Sequence, residues 1–242
     1  MQTSLGRTIA IGDIHGCIHA LEAVLAAIQP TPQDQLICLG DFIDTGRDTR
    51  DVVTRLIRLQ GECDLVVIQG NHEEMLLAAL QSAKLKDAWL MCGGIATLNS
   101  YKFCGDIDVI DQDHLAFIRQ TRDYFETDTH ILVHANYEEQ LPLADLPSYA
   151  LRWSILESKP RLPHVSGKRV IVGHTEQRSG EILDLGGVVC IDTYCHGHGW
   201  LTALELNTNQ VWQASRWGVL RESGEDAGHL TQAMQLLQPR AD

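Results

Sequence analysis

The sequence predicts an α/β fold, and three observations carry that reading. Apolar runs of strand length alternate with helical patterns through the first eighty residues, and short apolar runs return in the second half. The composition, 44% hydrophobic and 21% charged, is that of an ordinary globular chain.

The elements follow in order. RTIAIG (7–12) has strand length and composition, and CIHALEAVLAAIQ (17–29) repeats its apolar residues at three-to-four spacing, as an amphipathic helix does. QLICLG (35–40) is a second strand and DTRDVVTRLIRLQ (48–60) a second helix. DLVVIQG (64–70) and HEEMLLAAL (72–80) complete a βαβαβ start, which implies a parallel sheet covered by helices. From about 85 to 128 the pattern is mostly helical and polar, with DHLAFIRQ the clearest amphipathic piece, and reads as a helical cap or insertion. THILVHA, RVIVGHT, EILDL, VVCIDT, WLTALEL and QVWQA then read as strands with short connections, forming a second, mainly antiparallel sheet. The polar tail from about 218 holds one more helical pattern, HLTQAMQLL. At 242 residues, the simplest organisation is one domain over 1–242.

Composition also narrows the function. A formal net charge of −13 disfavours a general nucleic-acid binder, although a pair of cations can invert the field of one cleft and admit a phosphorylated substrate. No leader pattern or membrane-length apolar window is visible, so a soluble protein is expected. The seven cysteines are odd in number and nowhere form a C-x-x-C pair, which fits a reducing cytoplasm and argues against a disulfide framework or structural zinc. The oligomeric state is not legible in the sequence, and a monomer suffices.

The chemistry sits where three strands end. GDIHG (12–16), GDFIDTG (40–46) and GNHE (70–73) each occupy a strand-to-helix turn, the edge where open α/β sheets collect functional residues. Asp13 and His15 are two apart, so both side chains leave an extended strand end on the same side and can share a cation. With Asp41, Asn71, His134 and His174 they make six oxygen or imidazole donors at strand ends, suited to Mn, Fe or Zn and enough for two metals with one carboxylate bridging. Two cations about 3.5–4 Å apart serve phosphoryl chemistry by activating water and clamping phosphate oxygens.

The ordered series GDIHG, GDFID, GNHE, a strand ending His134-Ala135, and GHT (173–175), with IDTYCHGHGWLTALEL as its late part, resembles the phosphoprotein phosphatase family of dinuclear metallophosphoesterases. The resemblance spans residue 12 to about 206. It implies a four-layer α-β-β-α sandwich with mixed sheets flanked by helices. It also implies Asp13 and His15 on one divalent metal, Asn71, His134 and His174 on the other, and Asp41 bridging, with Mn2+ the first expectation and Fe or Zn the alternatives. By the same resemblance His72 is the general acid for the leaving oxygen, oriented by Asp44, and a metal-bridging water or hydroxide attacks phosphorus directly. The implied activity is that of a serine/threonine protein phosphatase acting on a phosphorylated protein or peptide.

Two departures bear on substrate binding. Thr45 stands where the family usually has a phosphate-clamping Arg, and Arg152 precedes Trp153 instead of following it. Arg152 is the main candidate phosphate ligand, Arg47 a weaker one, with Asn71 also facing substrate. A related branch that hydrolyses dinucleoside polyphosphates such as diadenosine tetraphosphate shares the metal motifs. It tends to lack the carboxylate present here as Asp44 and to carry Asp where this chain has Glu73. A third reading is a domain that binds phosphate without turnover. YCHGHGW (194–200) is expected as a substrate-facing wall, and the five Trp as core or rim.

Overall fold

The computed structural model describes residues 6–102 and 107–222. Strands β1 (Thr8–Ile11), β2 (Gln35–Cys38) and β3 (Asp64–Val67) pair in parallel, connected by helices α1 (Ile18–Ile28) and α2 (Thr49–Leu59). Helix α3 (Asn71–Ala79) follows β3 directly. In α2 the buried residues Thr49, Val52, Val53, Leu56 and Leu59 form one stripe at helical spacing, which is why this stretch is a helix laid on a sheet.

The cap region is α4 (Ala83–Trp89), a π-type turn over Leu90–Gly94, α5 (Ile95–Ser100) and α6 (Gln112–Ile118). The chain then returns to strand at β4 (Tyr124–Glu126), inside the segment expected to be mostly helical, and continues to β5 (His130–Val133). Helix α7 (Ser148–Arg152) precedes β6 (Arg169–Val172), β7 (Leu183–Asp184), β8 (Val188–Cys190), β9 (Trp200–Glu205) and β10 (Val211–Ser215). The tail pattern HLTQAMQLL lies outside the described residues.

Two five-stranded sheets result, ordered β10-β9-β1-β2-β3 and β4-β5-β6-β8-β7. Two expectations are corrected here. WLTALEL and QVWQA join the first sheet, where β9 lies antiparallel to β1 and β10 antiparallel to β9. The second sheet is not mainly antiparallel: β5, β6 and β8 run parallel, and only its edges β4 and β7 are antiparallel. Alternation of apolar residues says that a segment is a strand, but nothing about which strand it pairs with, and both errors come from that gap.

Period-two side-chain alternation builds three apolar layers. Ile9, Ile11, Leu36 and Cys38 point toward the helices, packing with Leu21, Val24, Leu56, Leu76 and Trp89. Their neighbours Ala10, Ile37, Val66 and Leu204 point the other way and meet Leu132, Ile171 and Val189 of the second sheet. The outer face of that sheet, Ile131, Val133, Val170, Val172 and Val188, is covered by Leu143, Leu146, Leu151 and Leu156, so its outer layer is a 3-10 turn (Leu143–Asp145), one short α-helix and loops. The architecture is the mixed-sheet sandwich flanked by helices that the sequence implied. Among the described residues no helix is long and apolar enough to cross a membrane.

Candidate metal centre

The carboxyl ends of β1, β2, β3, β5 and β6 converge, and each strand delivers its donors in the turn that follows it. These turns are tight. His15, Asp41, Asp44 and His174 have φ of 43°, 46°, 67° and 62°, left-handed backbone that non-glycine residues adopt at a cost of about 1–3 kcal/mol. Gly40 (φ 103°) has no room for a side chain, since a Cβ there would lie 2.6 Å from the Gly70 nitrogen and 2.9 Å from His134 Nδ1. At Gly173 a Cβ would come within 2.0 Å of Asp13 Oδ1, so β6 can approach β1 closely only through glycine.

Asp41 is the hub. Its Oδ2 lies 3.4 Å from His134 Nε2, 3.8 Å from His15 Nε2 and 3.9 Å from His72 Nε2, while its Oδ1 accepts the His72 backbone N–H at 3.1 Å. The ring nitrogens facing away from it are anchored to backbone carbonyls, His15 Nδ1 to Ile43 at 3.0 Å and His134 Nδ1 to Leu39 at 2.8 Å. Asn71 Oδ1 sits 3.0 Å from both His134 Nε2 and His174 Nδ1. Asp13 Oδ2 accepts the His174 N–H at 2.9 Å, and its Oδ1 is buried without a partner, as is His174 Nε2.

These residues fit divalent cations. Two overlapping donor sets, His15–Asp41–His72 and Asp41–His134–His174, share Asp41. The separations around Oδ2 exceed hydrogen-bond length yet suit ligands converging on an ion, and the orphaned Asp13 oxygen is buried where a carboxylate needs a countercharge. Asp13 stands outside both tight sets and reaches the centre through His174. Carboxylate and imidazole donors in this arrangement suit a first-row divalent cation such as Mn, Fe or Zn.

The environment sorts the histidines. Burial pushes His15 down to about 3 and His174 down to about 4, keeping both imidazoles neutral, the form that ligates. Burial also lowers His72, but Asp41 and Asp44 outweigh it and raise its pKa to about 9. Burial pushes Asp41 up, yet His134, His72 and His15 hold it well below the usual carboxylate range.

His72 and Asp44 are joined directly, Nδ1 to Oδ2 at 2.8 Å. Asp44 is wholly buried and takes two more hydrogen bonds, from Trp89 Nε1 at 2.8 Å and Thr97 Oγ1 at 2.6 Å. Trp89, one of the five Trp expected as core or rim, is fully buried, and its hydrogen bond to Asp44 has no signal in the local sequence. Arg152 is buried, bonded to Asp123 and 3.5 Å from Glu74, with Nε unpartnered. Arg47 is exposed and pairs with no other described residue.

A profile of the calcineurin-like phosphoesterase family matches residues 6–205. The chain belongs to that family. The serine/threonine-protein phosphatase 1 of Salmonella typhimurium is 30% identical over 212 residues, covering 81% of this chain and 90% of that protein. A symmetrical bis(5'-nucleosyl)-tetraphosphatase of Erwinia tasmaniensis is 44% identical, but over only 72 residues, 29% of this chain and 26% of that protein. Among solved structures, one provisionally described as a diadenosine tetraphosphatase superposes with a TM-score of 0.66 at 19% identity, covering 93% of this chain and 97% of the other, a likeness of fold alone. This phosphoesterase is therefore a hydrolase whose substrate the relatives leave divided.

Sequence reasoning gave Glu73 no structural role. Its carboxylate, fully buried, accepts N–H groups of Gly70 (2.9 Å), Asp41 (2.9 Å), Phe42 (3.0 Å) and Ile43 (3.3 Å), and so clamps the β2 turn to the start of α3. The signal was present: an acid three residues after Gly70 is where a capping carboxylate falls. His196 was read only as part of a loop wall, yet its ring stands edge-on to His15 at a centroid distance of 4.6 Å.

Proposed function

We propose that this phosphoesterase removes phosphate from phosphoserine and phosphothreonine in proteins, using manganese. The observation that carries the reading is the buried Asp44 bonded to His72 beside Asp41. An alkoxide is a poor leaving group, and an imidazole held protonated by a carboxylate supplies the proton it needs. The near full-length similarity to a serine/threonine phosphatase supports the same reading.

In this reading Asp13 and His15 hold one cation, Asn71, His134 and His174 the other, and Asp41 is shared. When bound, the cations supply Lewis acidity toward the phosphoryl oxygens and acidify the attacking water. Glu73 keeps the Asp41 turn in register, and Asp44 holds His72 Nδ1 so that Nε2 faces the centre. Asn71 at the start of α3 contributes a substrate contact. Arg152, paired with Asp123 and Glu74, is the proposed phosphate ligand and would have to release one of these carboxylates to bind it, and the exposed Arg47 is the second candidate.

Dinucleoside polyphosphate hydrolysis is the second reading, favoured by the local 44% identity to a tetraphosphatase. Phosphate release by manganese-loaded protein from phosphothreonyl peptides, compared with diadenosine tetraphosphate at matched concentration, separates the two. Preference for the peptides is expected. Preference for the dinucleotide would replace the first reading with the second, and turnover of neither would leave a phosphate-binding domain.

A further inference from the structure

Arg152, the main proposed phosphate ligand, is held by two carboxylates that are tied down differently. Glu74 is fixed from two sides: Oε1 lies 3.5 Å from Arg152 Nη1, and Oε2 accepts Trp153 Nε1 at 2.5 Å. It stands three residues after Asn71, so the two share a face of α3. Asp123 is tied only once. Its carboxylate receives Arg152 Nη2 and, among the described residues, nothing else. The Asp123 side chain is 56% exposed, against 8% for Arg152.

The backbone that carries Asp123 is pinned beside the site. The Arg122 N–H donates to the Val67 carbonyl at 2.9 Å, and the Gln69 N–H donates to the Arg122 carbonyl at 2.8 Å. The chain entering β4 therefore runs along the end of β3, next to the turn that leads into Asn71 and His72. On the α7 side, the backbone of Trp153 lies against the His174 imidazole. Arg152 is thus set among segments that carry the strand-end donors, with its Nε sealed and unpartnered. One positive and two negative charges leave this triplet negative, so an arriving phosphoryl dianion is repelled until one acid withdraws. Glu74 would have to give up its bond from Trp153 to do so. Asp123 need only rotate its side chain: its backbone stays in place, its carboxylate is resolvated as it leaves, and an ion pair this open to water is weak.

We propose that Asp123 is a built-in competitor for Arg152: it occupies the guanidinium in the empty site, swings into solvent when a phosphoryl group binds, and returns as product phosphate leaves, while Glu74 holds Arg152 throughout. The inference rests on the reading of Arg152 as a phosphate ligand. Competition of this kind weakens every anion that needs Arg152 by one common factor, set by the fraction of time the guanidinium is free. The test is binding of inorganic phosphate to the manganese-loaded protein by calorimetry, with steady-state kinetics on a phosphothreonyl peptide; the binding measurement holds whichever phosphoester is turned over. Asp123→Asn should tighten phosphate about threefold or more and lower KM by the same factor without raising kcat, and Asp123→Ala should do the same. Glu74→Gln should act in the opposite sense, raising KM, because Arg152 loses its anchor. Arg152→Ala should weaken phosphate about tenfold or more, and adding Asp123→Asn to it should change nothing further. Phosphate bound no more tightly by either Asp123 variant, with Arg152→Ala still weakened, would overturn the competitor and leave Arg152 as a ligand. Wild-type phosphate affinity in Arg152→Ala would overturn both.

Discussion

Asp44 receives hydrogen bonds from three separate stretches of chain, through His72, Trp89 and Thr97. A carboxylate buried that deeply is costly unless fully bonded, so each partner both stabilises the charge and narrows the positions His72 can take. His72→Ala is expected to lower turnover of phosphothreonyl substrates by about 10²–10⁴-fold, with far less effect on an aryl phosphate whose leaving group needs no proton. Steady-state kinetics on the two substrates check this. The sign of the pH dependence follows from Asp44, which raises the His72 pKa in its own right: the imidazole acts only when protonated, so turnover should fall as pH rises through its pKa. His72→Ala should lack that alkaline limb. Glu73→Ala would strand four backbone N–H groups, three at the Asp41 turn and one at Gly70, each worth about 1 kcal/mol or more, and should lower both the melting temperature and Mn2+ affinity.

Strand β1 and the turn before β2 are tied at their entrance by one ion pair. Asp34 accepts from the Arg7 backbone at 3.0 Å and side chain at 2.6 Å, and from Thr31 N–H at 2.8 Å and Oγ1 at 3.0 Å. Arg7 is the largest cause holding the Asp34 carboxyl well below the usual range. A depressed folded pKa means that this stabilisation is complete above the unfolded value, about 3.9, and fades as pH falls below it. Asp34→Ala should therefore cost about 1–3 kcal/mol at neutral pH and less near pH 2, as denaturant melts at the two pH values would show. Between the sheets, Leu132→Ala should cost about 2–5 kcal/mol, because the interdigitated layer cannot close over the void.

Across the whole molecule, two sheets bring their strand ends to one place, and buried ionisable groups meet there, among them Asp13, His15, Asp41, Asp44, Glu73, His134 and Asp192. Burial, with Asp192 and Asp41 nearby, pushes Asp13 well above its usual pKa, the sign of a site poised for positive charge. Cations that bind only the folded chain stabilise it by mass action, about 2.7 kcal/mol at a hundredfold excess over Kd. Chelation should thus lower the melting temperature, and added Mn2+ should restore it, measured by calorimetry with and without chelator.

The sequence by itself determined the strands and helices that carry the motifs, because apolar period reports burial of each segment. It also determined the donor types at the strand ends, because GDIHG, GDFID and GNHE are contiguous. Only the tertiary structure decided what distant segments do to one another. It moved β9 and β10 to the first sheet, brought Trp89 and Thr97 onto Asp44, and set Glu73 under the Asp41 turn. It also carried His196 from a late glycine-rich loop to the face of His15. Strand partners and long-range hydrogen bonds follow from how layers stack, and no local pattern of residues encodes that.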